Sequence, residues 1–221
     1  MTPEVVVELS NVYVESDRAG PIFNNLCFRL TAGRSAVITG PSGSGKTTLT
    51  ELVVGSRFAQ SGSVEVFGKC LRPGQWKTIK RLRRKIGGVG GIFTLIPSFT
   101  VAENVGVPLV LAGVRRKKRQ ERLLRLLTEF SLVKRAGDYP HTLTRVESML
   151  VLFARASVAH QPLMIIDEPL AGLDRHTFQR ILEHLVAVSL SGRSMIILTS
   201  EDLPHELPNT DYYLLGNGTL S

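Results

Sequence analysis

Residues 40–47 read Gly40-Pro41-Ser42-Gly43-Ser44-Gly45-Lys46-Thr47, a full match to the phosphate-loop pattern G-x-x-x-x-G-K-[ST]. The apolar run 36–39 precedes the loop and predicts a strand, while residues 46–55 predict a helix whose N-terminus faces the loop. Glycines let consecutive backbone N–H groups converge on phosphates, Lys46 reaches the outer phosphate oxygens, and the Thr47 hydroxyl is placed to ligate Mg²⁺. The sequence therefore predicts a nucleoside triphosphate site formed by residues 40–47 together with Thr48.

A second apolar run ends in two carboxylates. Residues 163–166 are followed by Asp167-Glu168-Pro169, and the carboxyl ends of parallel strands are where α/β folds bind ligands. Asp167 is predicted to bind the nucleotide and to hold the Mg²⁺ shell, and Glu168 to polarise the attacking water as a general base. Such a pair is also common at an ordinary turn or helix start. The phosphate loop favours the catalytic interpretation.

The composition predicts a cytosolic globular protein. A chain of 221 residues with 43% hydrophobic content can form one well-packed domain, or a core with a subordinate lobe. The most apolar stretch, residues 105–114, is interrupted by glycine and proline and is shorter than the roughly 20 residues that span a bilayer. Glu4 and Glu8 break the first apolar run, so no signal peptide is expected. Cys27 and Cys70 are far apart and suggest neither a metal site nor a disulfide.

The net charge of +8 is concentrated in residues 77–85 and in the run 115–119. Three interpretations are open for these stretches: the solvated start of a helix, a surface close to a membrane, or nucleic-acid binding. No aromatic residues interleave the second run, which argues against base stacking. Nucleic acid is therefore not expected as a partner.

Hydrophobic patterns predict an α/β fold. Residues 5–9, 26–30 and 64–68 are typical of strands near the phosphate loop and predict a small antiparallel sheet. Leucines and other apolar residues at helical spacing in 118–130 and 147–159 predict a helical lobe.

Continuous apolar strands follow that lobe. Residues 163–166 and 195–198 flank the helical stretch 176–190 and indicate a buried parallel sheet. The predicted fold is a phosphate-loop NTPase (RecA-like) core with a small antiparallel β part and an inserted α-helical lobe.

The chain resembles the ATP-binding cassette (ABC) proteins from about Val5 to Leu220, and within them the ATPase subunits of lipoprotein-releasing, macrolide-exporting and cell-division membrane complexes. The resemblance is carried by the segments Thr100-Val101-Ala102-Glu103-Asn104-Val105, Pro108-Leu109-Val110-Leu111-Ala112-Gly113, Tyr139-Pro140-His141, Ala154-Arg155-Ala156, Asp167-Glu168-Pro169 and Ala171-Gly172-Leu173-Asp174. It implies a single cassette over residues 1–221, with the core and antiparallel part in 1–92 and 160–221 and the helical lobe in 93–159.

The resemblance also implies ligands and partners. In the family, two cassettes pack head to tail, and each ATP with its Mg²⁺ lies between one subunit's phosphate loop and the other's signature segment. Asp174 would belong to the loop that links the two sites. A transmembrane permease subunit would hold the cassette peripherally on the cytoplasmic face of the cell membrane.

The signature segment departs from the family pattern. Leu-Ser-Gly-Gly-Glu is replaced by Leu143-Thr144-Arg145-Val146-Glu147. Glycines there let backbone N–H groups approach the partner's γ-phosphate, and side chains at Arg145 and Val146 are expected to block that approach. Whether Arg145 assists or obstructs closure stays open.

Three further family positions are altered. The Mg²⁺-sensing glutamine falls on Gly91, in a glycine track expected to be flexible, and the histidine that contacts the γ-phosphate falls on Ser200. The aromatic that stacks on adenine aligns with Ser16, with Tyr13 as a possible substitute or an ordinary strand residue. Because Lys46 and the Mg²⁺ ligands remain, the sequence predicts a protein that binds ATP and hydrolyses it slowly.

Two functions fit these features. The first is the ATP-binding subunit of a membrane ABC complex beside a second cassette, with a heterodimer favoured over a homodimer. The second is a pseudo-ATPase with a regulatory or scaffolding role. In the family, a groove between the core and the helical lobe receives a short helix of the transmembrane subunit. Here the groove would be lined by residues 90–99 and the start of the helical lobe, and the apolar side chains Phe93, Leu95, Ile96 and Phe99 either face the permease or pack inward.

Overall fold

The computed structural model describes residues 4–16, 20–168, 173–201 and 207–221. The strands are β1 (Val5–Ser16), β2 (Gly20–Thr31), β3 (Ser35–Thr39), β4 (Ser61–Val66), β5 (Lys69–Cys70), β6 (Ile86–Gly90), β7 (Leu163–Asp167), β8 (Ser194–Thr199), β9 (Thr210–Gly216) and β10 (Thr219–Leu220). The α-helices are α1 (Lys46–Val54), α2 (Trp76–Arg83), α3 (Val101–Leu111), α4 (Arg116–Glu129), α5 (Arg145–Ser157) and α6 (Arg175–Leu190). Short 3₁₀ turns cover Val133–Arg135 and Pro140–Thr142.

The predicted antiparallel sheet is present, in the order β2-β1-β4-β5. Its first strand is longer than residues 5–9, because β1 continues through an irregularity in its pairing with β2 between Leu9 and Val12. Asn11 in that irregularity takes a left-handed conformation, with φ of 51°. A bulge accommodates the extra residue without ending the strand.

The second sheet has the order β10-β9-β3-β8-β7-β6, and all its neighbouring strands from β9 to β6 are parallel. Its central strands are buried on both faces, which explains their unbroken apolar sequences. Within β7, Leu163 and Ile165 pack toward α1 and the antiparallel sheet, while Met164 and Ile166 join the cluster formed with the helical lobe. The predicted buried parallel sheet is confirmed.

Helices α3, α4 and α5 form the helical region between β6 and β7. The sequence patterns predicted α4 and α5 within two residues at each end, but they missed α3 as a helix. Thr100 begins α3 with a capping box, in which its hydroxyl accepts from the Glu103 amide and the Glu103 carboxylate accepts from the Thr100 amide. This T-x-x-E pattern is a helix-start signal readable from sequence.

The sheet order places the phosphate loop at the carboxyl end of β3 and the predicted carboxylates at the carboxyl end of β7. Strand β8 pairs with both of these strands and brings Ser200 to the same edge. Among the described residues, the helices include none with both the length and the apolar composition to cross a bilayer.

Candidate functional site

The phosphate loop leads directly into the N-terminus of α1. Gly45 caps this helix in a left-handed conformation with φ of 103°, which an L side chain rarely adopts. The first helical hydrogen bond runs from the Leu49 amide to the Gly45 carbonyl. The amides before Leu49 therefore have no partner within the helix and form a site suited to an anion.

The Lys46 side chain is held across the loop by backbone carbonyl groups of the loop. Its Nζ donates to the carbonyl oxygens of Gly40 at 2.6 Å and Pro41 at 3.0 Å. The same Nζ lies 3.0 Å from Oε1 of Glu168, and only 5% of the lysine side chain is exposed. The ammonium is thus fixed between the loop and the end of β7.

Asp167 is a buried carboxylate with spare bonding capacity. It is 1% exposed, and Oδ2 accepts from the Thr50 hydroxyl at 3.4 Å. Burial raises the pKa of Asp167 above its ordinary value, although the hydroxyls of Thr47 and Thr50 act in the opposite direction. Its Oδ1 has no hydrogen-bond partner among the described residues. A buried carboxylate oxygen without a partner, beside a threonine hydroxyl, is suited to the oxygen-ligated shell of Mg²⁺.

Glu168 lies in a left-handed conformation, with φ of 52°. Its Oε2 accepts two hydrogen bonds from Ser200, from the amide at 3.1 Å and from the hydroxyl at 2.9 Å. Partial burial favours a raised pKa, but hydrogen bonds from Lys46 and Ser200 outweigh it, so the pKa of Glu168 lies below its ordinary value. The carboxylate is ionised, as a general base must be.

A cavity of about 360 Å³ opens over the loop. It is lined by Ser16, Ile22, Ser42, Gly43, Gly45, Lys46, Thr47, Thr48 and Glu168. The structure therefore gathers six of the nine predicted nucleotide-binding residues 40–48, together with the predicted base, around one space. Gly40, Pro41, Ser44 and Asp167 are not among the residues that line this cavity. Ser16 occupies the cavity wall, whereas Tyr13 pairs with Ser61 in the antiparallel sheet and does not line the cavity.

The sequence profile of the family described as ABC transporter matches residues 23–171, more than half of the chain. The chain belongs to the ABC transporter ATP-binding family. Curated relatives include members of the lipoprotein-releasing and macrolide-exporting groups that the sequence resembles. The cassette is 31% identical to the lipoprotein-releasing system ATP-binding protein LolD of Bacteroides thetaiotaomicron, across 82% of this chain and 84% of LolD. It is 30% identical to the macrolide export ATP-binding/permease protein MacB of Marinobacter nauticus, across 91% of this chain but 32% of MacB.

A solved structure supports the same fold assignment. The ATP-binding cassette MJ0796, described as a dimer in a post-hydrolysis state bound to ADP and Pi, superposes with a TM-score of 0.84 at 26% identity. The match covers 97% of this chain and 96% of MJ0796. The predicted phosphate-loop NTPase fold with an antiparallel β part and helices is confirmed.

Residues 143–147, where the sequence predicts an altered signature segment, include the start of α5. Thr144 caps α5, and its hydroxyl accepts from the Glu147 amide while Glu147 accepts from the Thr144 amide. Arg145 is exposed and is in no ion pair among the described residues. Val146 is partly buried against the hydrophobic cluster of the helical lobe. Of the two residues that replace glycine, Arg145 therefore presents the more exposed side chain.

The glycine track after β6 is closely packed, which corrects the expectation that it is flexible. A Cβ added to Gly91 would lie 2.1 Å from Oδ2 of Asp167, and Gly91 has φ of 52°. The Phe93 ring covers Gly88, where an added Cβ would lie 2.2 Å from the ring. Gly91 thus has no room for a side chain beside Asp167.

A larger cavity of about 520 Å³ lies between the core and the helical lobe. Its lining includes Arg83, Phe93, Pro108 and Arg155. The apolar side chains of residues 90–99 differ in burial. Phe93 and Leu95 are partly buried against the two hydrophobic clusters, whereas Phe99 is 38% exposed.

Several site contacts were missed from the sequence. Thr50 and Ser200 contact the two carboxylates, and only the spatial order of β3, β8 and β7 brings them there. Asp174 is the N-cap of α6 and accepts from the amides of His176 and Thr177. Pro169, Ala171 and Gly172, which carried part of the family resemblance, lie outside the described residues.

Proposed function

We propose that this chain is the ATP-binding subunit of a membrane transport complex, in which it couples ATP binding and slow hydrolysis to a transmembrane partner. The observation that carries this proposal is the ion pair of Lys46 and Glu168 at one cavity, with the buried Asp167 carboxylate next to Glu168 in the chain. Residues 1–221 then act as one nucleotide-binding domain, with 93–159 as its helical lobe.

ATP and Mg²⁺ fit the side chains present. Residues 40–48 would hold the phosphates through loop amides and Lys46, and Thr47 and Asp167 would hold Mg²⁺, partly through water. The partnerless Oδ1 of Asp167 supports this assignment. Glu168 would take the proton of the attacking water.

Hydrolysis would be slow because transition-state contacts are missing. Gly91 supplies no side-chain ligand, and the Ser200 hydroxyl is already directed at Glu168. Loss of one preorganised donor commonly lowers a rate by about 10²–10³. Arg145 is expected to hinder the partner's γ-phosphate in addition, since its exposed side chain occupies a glycine position.

Two partners complete the proposed assembly. The cavity between core and helical lobe would receive a segment of a permease subunit, and a second, more complete cassette would form the dimer, so that a heterodimer is favoured. The name of MacB, which combines ATP-binding and permease, supports a permease partner, and the dimer of MJ0796 supports pairing with a second cassette. The chain would then lie on the cytoplasmic face of the cell membrane, in peripheral contact with it.

The second candidate is a pseudo-ATPase cassette in which bound ATP stabilises an assembly without steady turnover. The contact of Ser200 with Glu168 favours it, because the Ser200 hydroxyl donates to the carboxylate oxygen that a general base would use.

The two candidates are separated by ATPase assays of the chain co-expressed with its permease and second cassette. Hydrolysis that appears in the complex and is lost with Glu168→Gln supports the transport subunit. Turnover that is the same with Glu168→Gln in this chain supports the pseudo-ATPase. The isolated second cassette is the control for background turnover.

A further inference from the structure

The positive charge of this chain is concentrated in two short stretches of the sequence. Residues 72–85 and 115–125 hold 14 of the 27 lysines and arginines and one of the 19 acidic residues. The remaining residues therefore contain 13 basic and 18 acidic side chains, and their net charge is −5. A charge that reverses sign outside two short stretches indicates surfaces built for an anionic partner.

The first stretch forms a surface on α2. Ile79 and Leu82 bury one side of this helix, and Arg83 ties it to α1 through the carbonyl oxygens of Val54 at 2.8 Å and Gly55 at 3.0 Å. The other side carries exposed cations that form no ion pair among the described residues. We define the α2 cationic face as Arg72, Trp76, Lys77, Lys80, Arg81 and Arg84.

Trp76 stands at the start of this face and is 57% exposed, with one edge against the Phe58 ring. An exposed tryptophan is unfavourable in water, but its amphipathic ring is stabilised at the level of lipid headgroups. Lysine and arginine around such a ring add attraction to anionic lipid. Single-stranded nucleic acid would call for several stacking aromatics, and the exposed side of α2 offers one.

The position of α2 agrees with a membrane partner. Arg83 of α2 and Pro108 of α3 line the same cavity between core and helical lobe. The second basic stretch begins at Arg115, directly after α3. If a permease occupies that cavity, α2 and its basic stretch lie beside the permease.

We infer that the α2 cationic face binds the anionic phospholipid headgroups of the membrane next to the permease. This inference extends the proposed function. Only one part of it rests on that function, namely that the membrane is the one that contains the permease. Lipid contact would orient the cassette before the permease is engaged and would not depend on nucleotide.

The test uses the purified chain without nucleotide or permease, so its failure is separate from failure of the ATPase assay. Trp76 is the chain's one tryptophan, so its fluorescence reports this face directly. Vesicles of phosphatidylcholine alone are compared with vesicles containing roughly one-third phosphatidylglycerol. The chain is expected to sediment with the anionic vesicles and not with phosphatidylcholine vesicles. Binding should shift the Trp76 emission to the blue, and added salt should reverse both the binding and the shift.

Charge-removing variants distinguish binding by the α2 cationic face from binding caused by positive charge anywhere on the surface. A triple variant that loses three cations of this face should bind the vesicles about tenfold or more weakly. It combines Lys77→Gln, Lys80→Gln and Arg81→Gln. The control Arg29→Gln with Lys69→Gln and Lys134→Gln removes three exposed cations elsewhere and should stay within about twofold.

Three results would overturn the inference. These are an equal loss in both triple variants, vesicle binding without a shift of Trp76, and tighter binding to a duplex oligonucleotide than to anionic vesicles.

Discussion

The Nζ of Lys46 lies 3.0 Å from Oε1 of Glu168, so the ammonium proposed to bind phosphate and the proposed general base neutralise each other. Lys46 is almost fully buried, whereas about a third of the Glu168 side chain is exposed. An entering phosphate must therefore compete with Glu168 for the ammonium. Ser200 supplies the carboxylate with two other donors, which remain when Lys46 turns to phosphate.

Lys46→Met should weaken ATP binding roughly ten- to hundred-fold, as expected for loss of a charged hydrogen bond to phosphate. Titration of the variant with a fluorescent ATP analogue in Mg²⁺ measures this change. Lys69→Met removes an exposed lysine and should bind as the parent chain does. Equal affinity in both variants would remove Lys46 from the site.

Gly91→Ala should destabilise the chain by about 1–3 kcal/mol, because its Cβ would press on Oδ2 of Asp167. Gly106 in α3 is the matched control, since an added Cβ meets nothing within 4 Å there. Gly106→Ala should stabilise by about 0.5–1 kcal/mol, because alanine favours a helix interior. Urea unfolding of both variants measures the difference, and equal stabilities would show that the contact with Asp167 is relaxed in solution.

Arg145→Gly combined with Val146→Gly restores the glycines of the signature segment. The ATPase rate of the assembled complex should rise by about tenfold or more, since backbone donors regain access to the partner's phosphate. Arg116→Gly is the control, because Arg116 is likewise the exposed first residue of a helix. A lower rate in the double variant would mean that Arg145 assists catalysis.

Glu129 of α4 forms a hydrogen bond with Nδ1 of His184 in α6. The other ring nitrogen of His184, Nε2, lies 2.7 Å from the Ser157 hydroxyl of α5. The hydrogen bond from His184 lowers the pKa of Glu129 below its ordinary value of 4.5, more than burial raises it, and Arg125 adds a smaller lowering effect. A lowered folded-state pKa contributes stability that is present above the unfolded value.

Glu129→Gln should therefore destabilise the chain at neutral pH, and the difference should vanish as the pH falls below 4.5 through the folded-state pKa. Thermal unfolding across this pH range measures the effect. Glu121→Gln, at an exposed position on the same helix, should show no such pH-dependent difference. Similar profiles for both variants would contradict a role of the His184 contact.

Local signals explain most of what the sequence predicted. The phosphate loop, the carboxylates after β7 and the apolar strands are all continuous in sequence, so their patterns can be recognised without a structure. The capping boxes that begin α3 and α5 were equally readable as T-x-x-E and were overlooked.

Long-range contacts account for the rest. Ser200 reaches Glu168 because β7 and β8 are adjacent, and His184 joins three helices. The glycine track appears flexible from its composition, yet Phe93 and Asp167 fill the space beside it. Such packing depends on which elements meet, and no periodicity encodes it.

The most direct test of the account compares Mg²⁺-ATP binding with ATP hydrolysis in the purified chain and its Glu168→Gln variant. The account predicts that both bind Mg²⁺-ATP, that the parent chain hydrolyses it slowly, and that Glu168→Gln abolishes this hydrolysis. The variant should bind at least as tightly, because Lys46 is freed from its ion pair. Failure of the parent chain to bind Mg²⁺-ATP, or hydrolysis unchanged by Glu168→Gln, would contradict it.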